Sequence, residues 1–419
     1  MPPGGGAGLR PYSARAYRLG VGMRRGAAIA ACVLVLSGCS HPAPRRDATV
    51  TISPESGDQA VRPDAPVAVR VRDGRFRTVS LTDGSRSLDG RTSADGTVWW
   101  PRWALAPGRS YRLTAVVTGA DGRVSTAHST FRTRRVARTV ATTIMAPEEG
   151  ATVGVGMPIM LRFAAPVQNR VAVERSLELR TSVPVVGAWH WFSATDVVYR
   201  PRTYWPAHTQ VRLLAHLSGV RLTRAAYGAQ DVALGFGVGD AHVTVASARD
   251  HHQVVRINGR RARRMPISMG KGGRLAYTTT SGVHLTMEKA HHVVMDSASV
   301  GCPPGCPDHY RHDVYFAVRI SDSGEYEHSA PWSVADQGSR NVSHGCINLG
   351  PRDARWFYRH TQPGDVVEVT GTRRRLAPGN GWGFWQLTWP EWLAASHLAT
   401  SSGQGLLTPP NPAGESAAW

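Results

Sequence analysis

The chain has 419 residues, enough for two to four domains with cores of their own. Hydrophobic residues make up 42%, which excludes a disordered chain, and a mean hydropathy of -0.25 excludes a polytopic membrane protein. The net charge is +19 and is almost all arginine, with Lys271 and Lys289 the only lysines. A strongly basic chain raises nucleic-acid binding. Here, however, the arginines are scattered. Arg10, Arg15, Arg18, Arg24 and Arg25 precede a hydrophobic run with no acid among them, and without these five the balance falls to +14. No nucleic-acid partner is expected. The remaining charge reads as a solvated surface, or as one facing an anionic surface outside the cytoplasm.

The first element in chain order is the run Gly26–Leu36, directly behind Arg24 and Arg25. A basic stretch followed by about eleven mostly apolar residues is too short to span a bilayer and reads as an export signal. Leu36-Ser37-Gly38-Cys39 resembles a bacterial lipobox, which makes Cys39 the lipidated first residue of the mature protein; the alternative is plain secretion. The expected signal peptide is 1–39, with Met23 as an alternative start, and 40–47 is a short tether. The expected location is the extracytoplasmic face of the cell membrane, facing the wall.

Two similar stretches follow. Ser53-Pro54-Glu55-Ser56-Gly57 parallels Ala146-Pro147-Glu148-Glu149-Gly150, and Val98-Trp99-Trp100-Pro101 parallels Val198-Tyr199-Arg200-Pro201. Each copy alternates strand-like runs with Pro and Gly turns, as in a β-sandwich of about 100 residues. The reading is two immunoglobulin-like domains, 48–139 and 140–241, serving as spacers. Arginines 132, 134, 135 and 138 mark the link between them. A second arginine group, 256, 260, 261, 263 and 264, surrounds Asn258-Gly259, a type I′ hairpin signal. Both groups read as solvated turns rather than a polyanion site.

The chemistry lies in 242–372. Glu327-His328-Ser329-Ala330-Pro331-Trp332-Ser333 is followed by Ser343-His344-Gly345-Cys346-Ile347-Asn348. In an exported protein, one cysteine with nearby histidines is a candidate nucleophile. A free thiol is mostly protonated at neutral pH, and an imidazole can take its proton. Gly345 leaves room for backbone N–H groups to approach an oxyanion. In an extended segment, Asn348 shares a face with Cys346.

His328, fourteen residues, then Ser343-His344-Gly345-Cys346-Ile347-Asn348 resembles the signature of the L,D-transpeptidases of the YkuD fold. The resemblance extends to Met265–Lys271, Met295–Ser297, Tyr310–Val314 and Pro363–Val369, to the two upstream modules, and to the tryptophan-rich tail. It is nearest to the lipoprotein type of mycobacteria and related actinomycetes. It implies a mainly β protein: two immunoglobulin-like sandwiches, a YkuD-type β catalytic domain, and a C-terminal extension, 373–419, packed on that domain and ending flexibly. By the same resemblance, Cys346 is the nucleophile and His328 its general base. Ser329 orients His328 through its carbonyl, and the N–H groups of Gly345 and Cys346, with the Tyr310 hydroxyl, hold the oxyanion. His344 and Asn348 shape the pocket, while Met295, Tyr310 and Trp332 line the channel beside Ser343, under a lid of residues 296–325. The implied substrates are peptidoglycan stem peptides, a tetrapeptide donor and an amine acceptor joined in 3-3 cross-links with loss of D-alanine. No metal or cofactor is implied. An L,D-carboxypeptidase and a non-catalytic wall-binding lipoprotein are the rival readings.

Cys302 and Cys306 carry metal-like spacing with His309 and His312. In an oxidising compartment a local disulfide is the favoured reading, stiffening the lid tip.

Overall fold

The computed structural model describes residues 47–84 and 86–398, together with the backbone of 406–408. The expected signal peptide and Cys39 lie outside the described residues. The described chain is mainly β.

The first module packs one sheet, ordered Thr49–Ser53, Ala68–Arg72, Val98–Pro101, Gly90–Thr92, on another built from Gly74–Thr82, Ser110–Gly119 and Val124–Arg132 with a short Ser87–Leu88 edge. Alternation along Ser110–Gly119 buries Tyr111, Leu113, Ala115 and Val117 and exposes Arg112. Tyr111, Leu113 and Ala115 meet Val69, Leu81, Trp99 and Phe131 in one core. The second module repeats the plan. Ile159–Phe163, Asp196–Pro201 and Val185–Trp191 lie in one sheet, and Gln210–Ala215, Val232–Val238 and Leu177–Thr181 in the other. Both copies share the local geometry of the repeated motif: a cis proline at 54 and 147, and a glycine at positive φ at 57 and 150.

The third domain is a nine-stranded sheet. Its strand order is Gly282–Leu285, Val366–Thr370, His242–Ser247, His252–Ile257, Arg260–Ser268, Ile347–Leu349, Tyr326–Ser329, Arg311–Arg319, Lys289–Asp296. The turn at Asn258-Gly259 has φ of 49° and 78°, as a type I′ hairpin requires. Helix Pro351–His360 starts at Pro351, whose missing N–H costs a helix nothing at its first turn. It buries Ala354 and Phe357 against Val255, Met265, Ile267 and Ile347. The site is carried on the parallel pair Tyr326–Ser329 and Ile347–Leu349.

The tail contacts two domains: in the third, Asn380 bonds Ser323 and Gln386 donates to the Val283 carbonyl at 2.7 Å, and the rest reaches the second module. It leaves the third domain through a bridge between Ser281 and Arg375, then packs on the second module. Phe384, Trp392 and Leu393 join Ala188 and Val198 in a separate apolar cluster. Helix Trp389–Ala394 is closed by a capping box of Thr388 and Glu391. Residues 406–408, expected within a flexible end, instead add a strand beside Val185–Gly187. The second module offers the tail an open sheet edge at Val185–Gly187 and an apolar face at Ala188 and Val198.

Candidate active site

Strand register assembles the site. His328 pairs directly with Asn348, and Cys346 lies two residues before Asn348, so all three share one face. Glu327 and Ile347 face the other way, into the core. A cavity of about 220 Å³ opens over the first face, bordered by His328, Cys346 and Asn348 and by Met295, Tyr310 and Trp332.

His328 is buried, and its Nδ1–H donates to the Ser329 carbonyl at 3.0 Å. That bond leaves the Nε2 lone pair free to accept a proton. Burial pushes the imidazole down to about 4, with the Ser329 bond opposing and His312 adding to the fall. His328 is therefore neutral, and able to act as a base, at any pH well above 4. Cys346 keeps a small opening to solvent as a residue, yet burial of its sulfur pushes the thiol up to about 12. A backbone hydrogen bond from Tyr326 opposes that rise and the Glu325 carboxylate adds to it. The thiol donates to the Gly324 carbonyl at 3.7 Å rather than to His328. The resting pair is thus a neutral thiol and a neutral imidazole.

The nucleophile loop is held from several sides. The Ser343 hydroxyl donates to the Cys346 carbonyl at 2.6 Å and accepts the Gly345 N–H at 3.1 Å. Ser343 N–H in turn donates to the Met269 carbonyl at 2.9 Å, and Thr279 Oγ1 donates to the Gly345 carbonyl at 2.7 Å. Gly345 has φ of 137°, a region that side chains rarely enter, and a Cβ there would meet nothing closer than 3.9 Å. The glycine is needed for backbone shape, not for space.

One expectation changes here. The Gly345 N–H, assigned to the oxyanion, is spent on Ser343, because the loop turns it inward. The Cys346 N–H has no hydrogen-bond partner among the described residues and stays available. Ser343, expected at the substrate, borders the cavity and also pins the loop. Asn348 also makes a structural bond, donating to Ser333 Oγ at 3.0 Å.

The cavity wall is a chain of rings. Trp332 stacks on His312 at 4.6 Å, Tyr310 stacks on His312 at 5.3 Å, His344 lies 4.7 Å from Tyr310, and Tyr277 meets His344 edge-on at 4.7 Å. Sequence reasoning missed His312, Val314 and Val342 as lining residues. The available signal was strand alternation: His312 pairs with Met295 across the hairpin, and Val314 lies two residues on.

The lid is narrower than 296–325. Residues 311–319 belong to the sheet, and the covering part is the hairpin tip, 297–310. Cys302 and Cys306 are joined there in a disulfide, which occupies both sulfurs of the metal-like motif. Ser297 Oγ, fully buried, donates to the Cys302 carbonyl at 2.8 Å and accepts the Tyr310 N–H at 2.9 Å, fixing the tip against Tyr310. Lys271 reaches across to Asp308 at 2.7 Å.

Comparison with known proteins gives consistent matches. Residues 58–221 match the bacterial Ig domain family, and residues 240–369 match the L,D-transpeptidase catalytic domain family. L,D-transpeptidase 2 of Mycobacterium tuberculosis is 37% identical over 352 residues, covering 84% of this chain and 85% of that protein. L,D-transpeptidase 5 of the same species is 34% identical over 365 residues, covering 85% of this chain and 78% of that one. L,D-transpeptidase 1 is 41% identical over 227 residues, covering 54% and 84%.

Proposed function

This chain belongs to the family of peptidoglycan L,D-transpeptidases, and on that footing we propose that it forms 3-3 cross-links by acyl transfer through Cys346. The observation that carries the reading is the common face of Cys346, His328 and Asn348, with the free Nε2 of His328 opening onto the same cavity.

In the first step the Cys346 sulfur attacks the carbonyl of the L-to-D peptide bond after the third stem residue, and its proton passes to His328 Nε2. General-base help of this kind contributes about 10²–10⁴-fold. The oxyanion receives the Cys346 N–H and the Tyr310 hydroxyl. His328 then returns the proton to the departing D-alanine amine, leaving a thioester. An amine of a neighbouring stem attacks the thioester, loses a proton to His328, and releases the thiol. Transfer out of a neutral resting pair suits this order, because the thiolate forms only as it attacks. Met295 and Trp332 border the donor channel, and His312 extends its aromatic wall.

Anchoring through a lipid on Cys39 belongs to the same reading, with the two sandwich modules holding the third domain away from the membrane. The apolar run and Cys39 support it.

The test uses a disaccharide-tetrapeptide as both donor and acceptor. Dimer formation with D-alanine release is expected, and both are lost in Cys346→Ala. D-alanine release without dimer would replace the amine acceptor with water. A carbapenem, an acylating β-lactam, should add its mass to the wild type and not to Cys346→Ala. An adduct that survives the substitution would overturn the nucleophile assignment. The His328 base predicts that acylation retains its His328 dependence down to about pH 5, since the imidazole protonates only near 4. For the anchor, Cys39→Ser should move the protein from the membrane fraction to the medium.

A further inference from the structure

Against the nucleophile loop, three buried polar side chains meet. His284 sits in Gly282–Leu285, Thr280 lies just before that strand, and Glu325 just before Tyr326–Ser329. Glu325 Oε1 accepts the Thr280 N–H at 2.7 Å, and Oε2 lies 2.6 Å from Thr280 Oγ1. His284 Nε2 is 2.7 Å from the same Oγ1 and 3.8 Å from Oε2, and its Nδ1 is 3.1 Å from the Gly282 carbonyl.

Counting protons restricts the arrangement. A carbonyl only accepts, so Nδ1 carries a proton. The Thr280 hydroxyl has one proton for two neighbours. If it donates to Glu325, then Nε2 donates to it, and His284 is an imidazolium facing a carboxylate. If it donates to Nε2, His284 is neutral and Glu325 is a protonated acid. Both forms carry zero net charge and differ only by protons sliding along Nε2, Oγ1 and Oε2. The first is favoured because Glu325 already accepts an amide N–H and faces the ring, contacts that strengthen with charge in a dry interior. Burial acts to raise the Glu325 carboxyl, yet the His284 ring and the Thr280 donors outweigh it and hold it below its usual range.

We propose that His284, Thr280 and Glu325 form an imidazolium–hydroxyl–carboxylate relay that positions the nucleophile loop and places a negative charge near Cys346. The relay grips the loop at two points. Thr279, next to Thr280, holds the Gly345 carbonyl, and Gly324, next to Glu325, accepts the thiol proton. A Cβ built on Gly345 would lie 4.0 Å from Glu325 Cγ, so the carboxylate side chain sits directly against the loop. The titratable groups facing the sulfur are Glu325 and Tyr326 beside the loop, Tyr310 from the lid, and His328 and His344 at the cavity. Among them Glu325 is the anion; the His284 ring behind it offsets part of that charge, but Glu325 is the member of the pair that touches the loop, so the balance disfavours a resting thiolate. The consequence for catalysis rests on Cys346 being the nucleophile. Glu325 is a positioning residue, since it acts through the loop and its field.

The full chain, labelled with ¹⁵N, provides the first test. Long-range proton–nitrogen spectra at pH 7 should show both ring nitrogens of His284 protonated. One bare nitrogen at pH 7 would overturn the relay. The second test follows alkylation of Cys346 by iodoacetamide against pH, a readout that needs no transpeptidase activity. Glu325→Gln should lower the midpoint by about one pH unit, as expected when a nearby like charge is removed, and Glu325→Asp should restore part of it. An unmoved midpoint in folded Glu325→Gln would remove the electrostatic role. Failure of the nucleophile reading would appear separately, as carbapenem acylation that survives Cys346→Ala.

Discussion

The two sides of the second module are joined to their neighbours by different physics. Toward the first module the junction is polar. Arg221 and Tyr227 meet Asp64 at 2.9 and 3.1 Å, Arg102 meets Glu178 at 2.7 Å, and Trp103 stacks on His216 at 4.0 Å. Toward the tail it is dry and aromatic. Trp392 is fully buried, donates its indole N–H to the Ala188 carbonyl at 2.9 Å, and carries Arg200 over its ring at 4.5 Å. Among the described residues Arg200 has no carboxylate partner. It is stabilised instead by Trp385, Trp389 and Trp392 and by the Leu387 carbonyl at 2.8 Å. Burial lowers its guanidinium to about 10, so it stays charged at neutral pH. On the same side Glu174 is buried and accepts the Trp191 indole N–H and the His397 and Leu398 amides. One side is a set of contacts that water can replace. The other is a core that loses its burial and its partners together.

The comparison predicts a ranking. Trp392→Ala should cost about 3–5 kcal/mol, the range for emptying a buried aromatic site, read as a fall in the melting temperature of the second module. A cost near zero would make the tail an ornament. Gly219→Ala comes next. Gly219 has φ of 77°, and a Cβ there would lie 2.0 Å from the Leu105 carbonyl of the first module. Strain of about 2 kcal/mol is expected, read as faster proteolysis in the 133–138 link. The polar junction should yield least. A double-mutant cycle of Arg102→Gln and Glu178→Gln should give a coupling of about 1 kcal/mol or less. That coupling depends on acid. The His216 hydrogen bond, helped by Arg180 and Arg102 against burial, holds Glu178 at about 2, below the ordinary 4.5. Its contribution is therefore complete above pH 4.5 and lost as pH falls toward 2. Unfolding followed against pH should show this slope in the wild type and not in Glu178→Gln. An equal slope in both would place the acid sensitivity elsewhere.

Much of this was legible without coordinates. The repeat Ser53–Gly57 and Ala146–Gly150 marked two sandwich modules, since turns and alternation are local signals. His328 and the Ser343–Asn348 run marked the site because nucleophile, base and glycine turn lie close in sequence. The tail was legible only in part: Trp382, Trp385, Trp389 and Trp392 announce burial, but no local pattern says that the surface they cover includes the second module as well as the third domain. His312 was missed as a wall residue because its neighbours, Trp332 and Tyr310, arrive from separate elements.

The sequence by itself determined which groups are available for chemistry and the periodicities that make the chain β, because both depend on residue type and near neighbours. Tertiary structure alone decided where each proton and N–H points. The Gly345 amide turns inward to Ser343, while the Cys346 amide stays open. Thr280 comes between His284 and Glu325 across 45 residues, and Arg200 enters a cage built about 190 residues later. Hydrogen-bond partners and ion pairs are set by distances of a few ångströms between segments far apart in the chain, and nothing in composition or spacing encodes those distances.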